Sequence, residues 1–495
     1  MRVEKIIEKL NPTHVASAAH GVDVKGLAYD SRQVKPGYMF VAIPGRRQDG
    51  MTFIDDALQR GAVAVVGEET VALRHVPYVR VPDARRALAD AACTFYGNPS
   101  ADLTLFGVTG TNGKTTTTFM LRSLLTRAGS RPGLISTVHY EIGQRVIPAN
   151  RTTPEAPDLQ AMLQQMQWAG CRQVVMEVSS HALDQQRVRG IDFDVAIYTN
   201  LTRDHLDYHG SMENYFEAKR NLFRSLGHGD KKATAVINRD ETWGRKLVED
   251  VVGGPADCVT YGTRPGADVV AEDVVLNNTG SLCTVRTPWG SVSLQLTQLG
   301  RYNIHNALAA LTACASRGIP LDTAAQALEK IEGVPGRLEC VAPDHPFNVF
   351  VDYAHTDDAL NNVLQILREI TPGRIWVVFG CGGDRDRSKR PAMGAVAEEW
   401  GDHTWITADN PRSEDPAAIA EEIAGGFGDP AGYTVILDRA EAIRAAIQRA
   451  GAGDAVLIAG KGHENFQEFG NTVIPFDDVE IARAALGIQR ERSEP

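Results

Sequence analysis

The glycines, lysine and threonines of Gly107-Val108-Thr109-Gly110-Thr111-Asn112-Gly113-Lys114-Thr115-Thr116 carry the plainest chemistry in this chain. Leu103, Leu105, Phe106 and Val108 form a strand-like run before them, and Phe119, Leu121, Leu124 and Leu125 mark one face of a helix after them. A glycine-rich turn between strand and helix lets main-chain N–H groups close on phosphate oxygens, at a helix N-terminus that favours negative charge. Lys114 then reaches the outer phosphates of a nucleoside triphosphate, and Thr115 a Mg2+ ion. The strict eight-residue pattern wants glycine at 108, where Val108 stands between glycines at 107 and 110, so the loop is a variant. A tight turn without a ligand is the plain alternative, and Gly-Lys-Thr-Thr at the helix start weighs against it.

Ligands of open parallel sheets sit beyond the carboxyl ends of the strands, which singles out the polar residues that end each one. Glu177 lies near the end of the run Val174-Val175-Met176-Glu177-Val178 and precedes Ser179-Ser180-His181. Asn200 and His205 follow Val195-Ala196-Ile197-Tyr198, and Lys219 lies in the helix-like Tyr215-Phe216-Glu217-Ala218-Lys219. A carboxylate and a neutral imidazole facing a phosphate loop are candidate Mg2+ ligands, although Mg2+ prefers oxygen and keeps waters. Taken alone, Glu177 reads as a helix cap and His205 as a loop residue. Their shared place beside the phosphate loop favours the metal.

The elements behind these residues divide the chain. Residues 1–98 combine short β-like runs, Tyr38–Ile43 and Ala62–Val66, with an alanine-rich helix, and end in the turn Gly97-Asn98-Pro99-Ser100. Residues 99–335 alternate strand and helix patterns, as a mostly parallel nucleotide-binding sheet requires. Alternating stretches between about 256 and 299 predict antiparallel strands, before the helix around Asn306–Leu311. After the linker Gly333-Val334-Pro335-Gly336, residues 336–495 repeat an α/β rhythm through Val349–Val351, Ile375–Phe379 and Ala455–Ala459, which predicts a Rossmann-like unit. The expected fold is therefore α/β in three domains: a small N-terminal α/β domain, a central phosphate-loop sheet and a C-terminal Rossmann-like domain.

Length agrees, because 495 residues exceed one hydrophobic core. A net charge of -11 excludes a non-specific nucleic-acid binder and leaves basic residues to local pockets for anions. Seven scattered cysteines without a CxxC pair fit free thiols in a reducing compartment. The charged N-terminal segment lacks the apolar core of a signal peptide, and no run of about 18 apolar residues follows, so a cytoplasmic protein without membrane partners is expected. A monomer is the expectation for its assembly.

The ordered motifs GVTGTNGKTTT, MEVSSHAL, NLTRDHLDYHG, YFEAKRNLF, LGRYNIHNALAA, GVPGRLE, DYAHT, GGDRDRSKRP, ADNPRSEDP and AGKGHE resemble the Mur ligase family over nearly the whole chain. One departure follows DYAHT, where the family usually has proline and this chain has Asp357; because proline there only shapes a turn, little effect on chemistry is expected. The resemblance implies an ATP-dependent, amide-forming ligase that carries a carboxylate through an acyl phosphate. Its substrates would be a UDP-N-acetylmuramoyl dipeptide and meso-diaminopimelate, with Mg2+ as cofactor.

The resemblance also implies roles. Gly110, Thr111, Asn112, Gly113, Lys114, Thr115 and Thr116 would hold ATP phosphates, Asn303 and Asn306 the adenine side, and Arg337 and Asp352 the nucleotide from beyond the linker. Thr115 and Glu177 would ligate one Mg2+, and Glu177, His205 and a carbamylated Lys219 (N6-carboxylysine) a second. Captured CO2 turns a lysine amine into an oxygen-donating anion, and an unmodified structural lysine is the alternative. For the UDP-sugar dipeptide it implies Ser31 after Asp30, the loop Arg46-Arg47-Gln48, and Arg151, Thr152, Thr153, Ser179, Gln185 and Arg187, with Arg151 where relatives can have asparagine. Arg385, Asp409, Asn410, Pro411, Arg412, Gly460 and Glu464 would take diaminopimelate, the arginines its far carboxylate and the acids its far ammonium. Folylpolyglutamate synthetase shares the phosphate loop, but the Asp409-Asn410-Pro411-Arg412 motif argues against it. A non-enzymatic assembly protein would not be expected to keep Lys114, Glu177, His205 and Lys219.

Overall fold

The computed structural model describes residues 1–16, 21–45, 48–71, 73, 76–277, 280–331, 333–342 and 345–488. Fully apolar runs such as Val195–Tyr198 and Ala455–Ala459 become strands buried on both faces, and helices supply the cover. Among the described residues these strands form three main sheets and one small hairpin.

The central sheet has eleven strands among the described residues. Its parallel part runs in the order Val269–Asn277, Asp257–Gly262, Thr234–Asn238, Val195–Tyr198, Thr104–Thr109, Gln173–Glu177, Gly133–Ile135. Antiparallel strands extend both edges: Gly280–Thr287 and Gly290–Leu296 on one, His139–Ile142 and Arg145–Pro148 on the other. The antiparallel region expected from residue 256 thus begins later. Asp257–Gly262 continues the parallel sheet, its last three residues buried, while Gly280–Thr287 alternates buried and exposed residues as a one-faced strand does.

Helix Lys114–Arg127 covers one face together with Arg301–Ala315, packing Met120, Leu121 and Leu124 with Ala307, Leu308 and Leu311. Helices Ala156–Trp168 and Met212–Arg224 cover the other. The N-terminal sheet runs His14–Ala16, Tyr78–Arg80, Ala62–Gly67, Tyr38–Val41, Gly26–Ala28, and its helix Ala84–Tyr96 packs on Ala156–Trp168. The C-terminal sheet runs Glu339–Cys340, Asn348–Asp352, Ala455–Ala459, Ile375–Phe379, His403–Ile406, Tyr433–Val435, parallel except for its first strand. A fully buried ion pair ties it together: Arg439 Nε and Nη2 donate to the two Asp478 oxygens at 2.7 and 2.8 Å, and Nη2 also donates to the Ala459 carbonyl. All seven cysteines are free thiols, as expected. No helix among the described residues is long and apolar enough to cross a membrane.

Candidate active site

Thr104–Thr109 lies between Gln173–Glu177 and Val195–Tyr198, so the phosphate loop, Glu177 and the segment carrying His205 leave the sheet at the same edge. Gly110 and Gly113 have φ of 152° and 84°, and a Cβ would come within 1.9 Å of Thr199 Oγ1 at the first and 2.3 Å of Asn306 Oδ1 at the second. Only glycine fits either place. Lys114 Nζ curls over the loop to the carbonyls of Gly110 and Thr111 at 2.9 and 2.8 Å. Loss of hydration lowers its pKa, and Glu177 and Asp204 oppose the shift.

Glu177 is fully buried and ends its strand rather than capping a helix; Ser179 caps the helix that follows. Its Oε1 accepts from Thr137 N–H at 2.8 Å, and its Oε2 from the hydroxyls of Thr115 and Thr137 at 3.1 and 3.2 Å. A carboxylate beside the threonine of a phosphate loop is an oxygen donor set suited to Mg2+, which takes one or two carboxylates and completes its shell with phosphates and water. Among the described residues no group of three His, Cys, Asp or Glu side chains is clustered for a metal, so a second ion would depend on a further anionic oxygen.

Lys219 lies 1% exposed, its Nζ donating to the Gly110 carbonyl at 2.8 Å and standing 4.4 Å from the Tyr215 ring centre. Burial first and Lys114 second drive its pKa well below the ordinary value, which favours an uncharged, nucleophilic amine. His205 has φ of 54° and Nε2 3.3 Å from Asp204 Oδ2. Burial drives its pKa down, and the Asp204 charge opposes the fall. Asp204 stays below the ordinary carboxylate range because the groups around it, His205 foremost, outweigh burial.

A cleft of about 490 Å³ joins these groups to Asn303, Asn306, Arg337, Asp352, Thr152 and Ser179. Asn306 Nδ2 donates to Asn303 Oδ1 at 3.1 Å. Arg337 crosses from the linker side to donate to Thr115 Oγ1 at 3.1 Å, its guanidinium 4.6 Å from the Tyr353 ring centre and its buried Nε without a hydrogen-bond partner among the described residues. Asp352 lines the cleft, but its oxygens accept from Leu338 and Ala354 N–H at 2.6 and 2.7 Å, so it also shapes its own turn. Asp357 does more than replace a turn residue, because its carboxylate pairs with Arg203 at 3.0 Å. The neighbouring Asp358 accepts from Asn112 and Thr202 at 2.8 and 2.9 Å, bringing the C-terminal unit against the phosphate loop.

Toward the N-terminal unit, Thr153 donates to the Glu177 carbonyl at 2.8 Å, Arg187 Nη2 donates to Gln185 Oε1 at 2.6 Å, and Arg151 donates to Glu155 at 3.0 Å. Ser31 is buried in a short 3-10 turn and Gln48 is exposed; neither lines the cleft, and Arg46 and Arg47 lie outside the described residues. In the C-terminal unit, Asn410 Nδ2 donates to Glu464 Oε2 at 2.9 Å, and Lys461 lies between Asn410, Glu464 and Asp409. Burial raises the Glu464 pKa, with Asp409 adding to the shift. Gly460 has φ of 110°, and a Cβ there would stand 2.7 Å from Asp409 Oδ2. Pro411 is buried against Gly383. Arg412 has a left-handed φ of 52°, and its Nε and Nη1 are engaged by Glu468 at 3.0 Å and the Gly383 carbonyl at 2.8 Å, so its fork is partly spent on the protein. Arg385 stands near enough for Arg412 to add to the lowering that its own burial causes.

Thr137, Asp204, Tyr215 and Asp358 escaped the sequence reading. Thr137 follows Gly133–Ile135, so the strand-end rule applied to that short strand would have found it.

A phosphate loop at the strand ends of a parallel sheet, faced by a second α/β unit across a cleft, defines the class of three-domain ATP-dependent ligases. The chain belongs to the Mur ligase family: the profiles described as Mur ligase family, catalytic domain; Mur ligase middle domain; and Mur ligase, glutamate ligase domain match residues 23–96, 108–314 and 336–462. It is 45% identical to UDP-N-acetylmuramoyl-L-alanyl-D-glutamate--2,6-diaminopimelate ligase of Geobacter metallireducens, over 98% of both chains. It is 45% identical to the Geobacillus thermodenitrificans protein of the same name, over 99% of this chain and 100% of that one. A solved structure of a ligase with that name aligns at 34% identity and a TM-score of 0.69, covering 97% of this chain and 98% of that one. Folylpolyglutamate synthase from Mycobacterium tuberculosis shares the fold at 20% identity and a TM-score of 0.63, covering 81% of this chain and 95% of that one.

Proposed function

We propose that this chain joins meso-diaminopimelate to the D-glutamyl carboxylate of UDP-N-acetylmuramoyl-L-alanyl-D-glutamate, with ATP converted to ADP and phosphate, as a cytoplasmic step of peptidoglycan precursor synthesis. The observation that carries the reading is the charge arrangement in the C-terminal unit: Arg385 and Arg412 close together, with Asp409 and Glu464 joined through Asn410 and Lys461. That pairing suits the far end of diaminopimelate, a carboxylate beside an ammonium. Relatives 45% identical over nearly their whole length bear the corresponding name. We place the domain boundaries after residues 98 and 335.

The D-glutamyl carboxylate oxygen attacks the γ-phosphorus, the bond to ADP breaks, and an acyl phosphate forms. The amine of diaminopimelate then attacks the carbonyl carbon, phosphate leaves with the cleaved C–O bond, and the amine gives up a proton. Lys114 and Arg337 stabilise charge on the phosphoryl oxygens. Thr115 and Glu177 would hold Mg2+, which neutralises phosphate charge when bound. Lys219, whose burial lowers the pKa of its amine, would add its nitrogen to CO2 with loss of a proton and so supply the further anionic oxygen that a second ion would need.

The test is ADP release with the UDP-muramoyl dipeptide and either diaminopimelate or lysine. Lysine would leave Arg385 and the donors of Arg412 that the protein does not engage without a carboxylate, and discrimination in kcat/KM on the order of 10⁴ is expected. Equal values reject the amino-acid assignment, and turnover with a folate acceptor instead rejects the whole reading.

A further inference from the structure

Three arginines from separate segments converge on one carboxylate where the N-terminal and central units meet. Arg151 Nη1 donates to Oε1 of buried Glu155 at 3.0 Å, Arg187 Nη2 pairs with the same oxygen at 3.1 Å while donating its hydrogen bond to Gln185, and Arg85 Nη1 lies 4.0 Å from Oε2. Arg187 also donates to the Thr153 carbonyl at 2.9 Å. One turn along the helix, Asp158 is taken by the Tyr29 hydroxyl at 2.8 Å. Setting Glu155 and Asp158 against Arg85, Arg151 and Arg187 leaves one positive charge in excess, at a helix N-terminus that adds its own partial charge.

Arg85 is the least committed of the three. Among the described residues its guanidinium makes no hydrogen bond, its one ion-pair distance lies at the outer limit, and its side chain is 31% exposed. It is also unnecessary for docking the units, which Arg189–Asp90 at 2.8 Å, Gln164 to the Tyr96 carbonyl at 2.8 Å and Tyr29–Asp158 already join. Its place matters, because Tyr29 leads into Asp30-Ser31, while Thr153 reaches the Glu177 main chain. The cluster thus stands between the segment that carries Ser31 and the one that carries Thr153.

We propose that Arg85 binds an oxyanion of the UDP-sugar dipeptide, its diphosphate or a dipeptide carboxylate, its guanidinium leaving Glu155 for the ligand. The inference rests on the function proposed above. Arg85→Ala is expected to raise KM for the UDP-muramoyl dipeptide on the order of tenfold to a hundredfold, the range of a charge-assisted hydrogen bond. The ATP KM, kcat and melting temperature stay unchanged, and Arg85→Lys, which keeps the charge, shows a smaller rise. Titration with UDP separates the sources: weakened UDP binding assigns the diphosphate, and unchanged UDP binding with a raised KM assigns the carboxylate. An unchanged KM in Arg85→Ala overturns the proposal, as does a rise matched by the ATP KM and accompanied by a lower melting temperature. A wild type that releases no ADP with this substrate overturns the function reading; equal affinities of wild type and Arg85→Ala for the UDP-dipeptide in direct titration then overturn the arginine.

Discussion

Arg337 offers the sharpest test of how the cleft works, because it spends only part of its donor capacity on the protein. Nη2 donates to Thr115 Oγ1, and Nε is buried without a partner among the described residues. A buried donor left unpaired costs roughly 1–3 kcal/mol, which an incoming phosphate oxygen recovers, and each charged hydrogen bond to phosphate contributes about 1.5–3 kcal/mol. Two such donors, at about 1.4 kcal/mol per tenfold, predict that Arg337→Ala lowers kcat/KM for ATP by roughly 10²–10⁴. Arg337→Lys keeps the charge but loses the fork and the contact with Tyr353, so it should recover part of the loss, ending about tenfold to a hundredfold below wild type. The assay is steady-state ADP release, with ADP affinity by calorimetry beside it. Unchanged kcat/KM in Arg337→Ala refutes the reasoning, and so does an equal loss in both variants that tracks a fall in melting temperature.

Glu177→Gln keeps the bond from Thr137 N–H while removing a buried charge, so turnover should fall at least about 10²-fold with the melting temperature nearly unchanged; near-normal turnover would put the carboxylate outside the chemistry. Lys219→Ala should be inactive, with partial recovery on adding small carboxylates, and normal activity at saturating Mg2+ excludes the carbamate. Asp478→Asn strands the buried Arg439 charge and should cost about 3–5 kcal/mol in denaturant unfolding, whereas a change below about 0.5 kcal/mol would contradict the pairing. Burial alone would raise the Asp240 pKa, but hydrogen bonds from His305 and Thr263 bring it from its ordinary 3.8 to about 2, worth roughly 2 kcal/mol. That stability is fully present above the unfolded value and disappears as pH falls from about 4 through 2, so wild type should lose more than Asp240→Asn in urea titrations across that window, and parallel losses refute the assignment.

What the sequence made legible was what neighbours in sequence decide. Gly110 to Thr116 is a contiguous strand–turn–helix, and the apolar runs ending at Glu177 and Tyr198 announce buried parallel strands by composition alone. The partners of those residues were not legible, since they come from distant segments: Arg337 meets Thr115 across 222 positions, and Asn112 meets Asp358 across 246. Asp257–Gly262 escaped for a different reason. Its first half is only partly covered and imitates an edge strand, while pairing with Thr234–Asn238 on one side and Val269–Asn277 on the other makes it an inner one. Arg412 read as a free fork because nothing local reveals Glu468, whose strand Phe466–Phe469 brings it alongside.

The escaped contacts that cross from the C-terminal unit to the central one share one destination. Arg337 reaches Thr115, Asp358 reaches Asn112 and Thr202, and Asp357 reaches Arg203, each running from the C-terminal side of the linker to the phosphate loop or the segment beside it. The residues proposed to touch phosphate are therefore also those against which the C-terminal unit seats. A triphosphate that reorganises Asn112 and Thr115 must exchange some of these bonds, so its binding free energy would depend on the position of the unit proposed to present the amino acid. Asp357 bears on that balance from outside the cleft: its pair with Arg203 is solvent-accessible, worth at most about 1 kcal/mol, and adds to closure without touching a substrate. A proline could shape the same turn but could not make that bond.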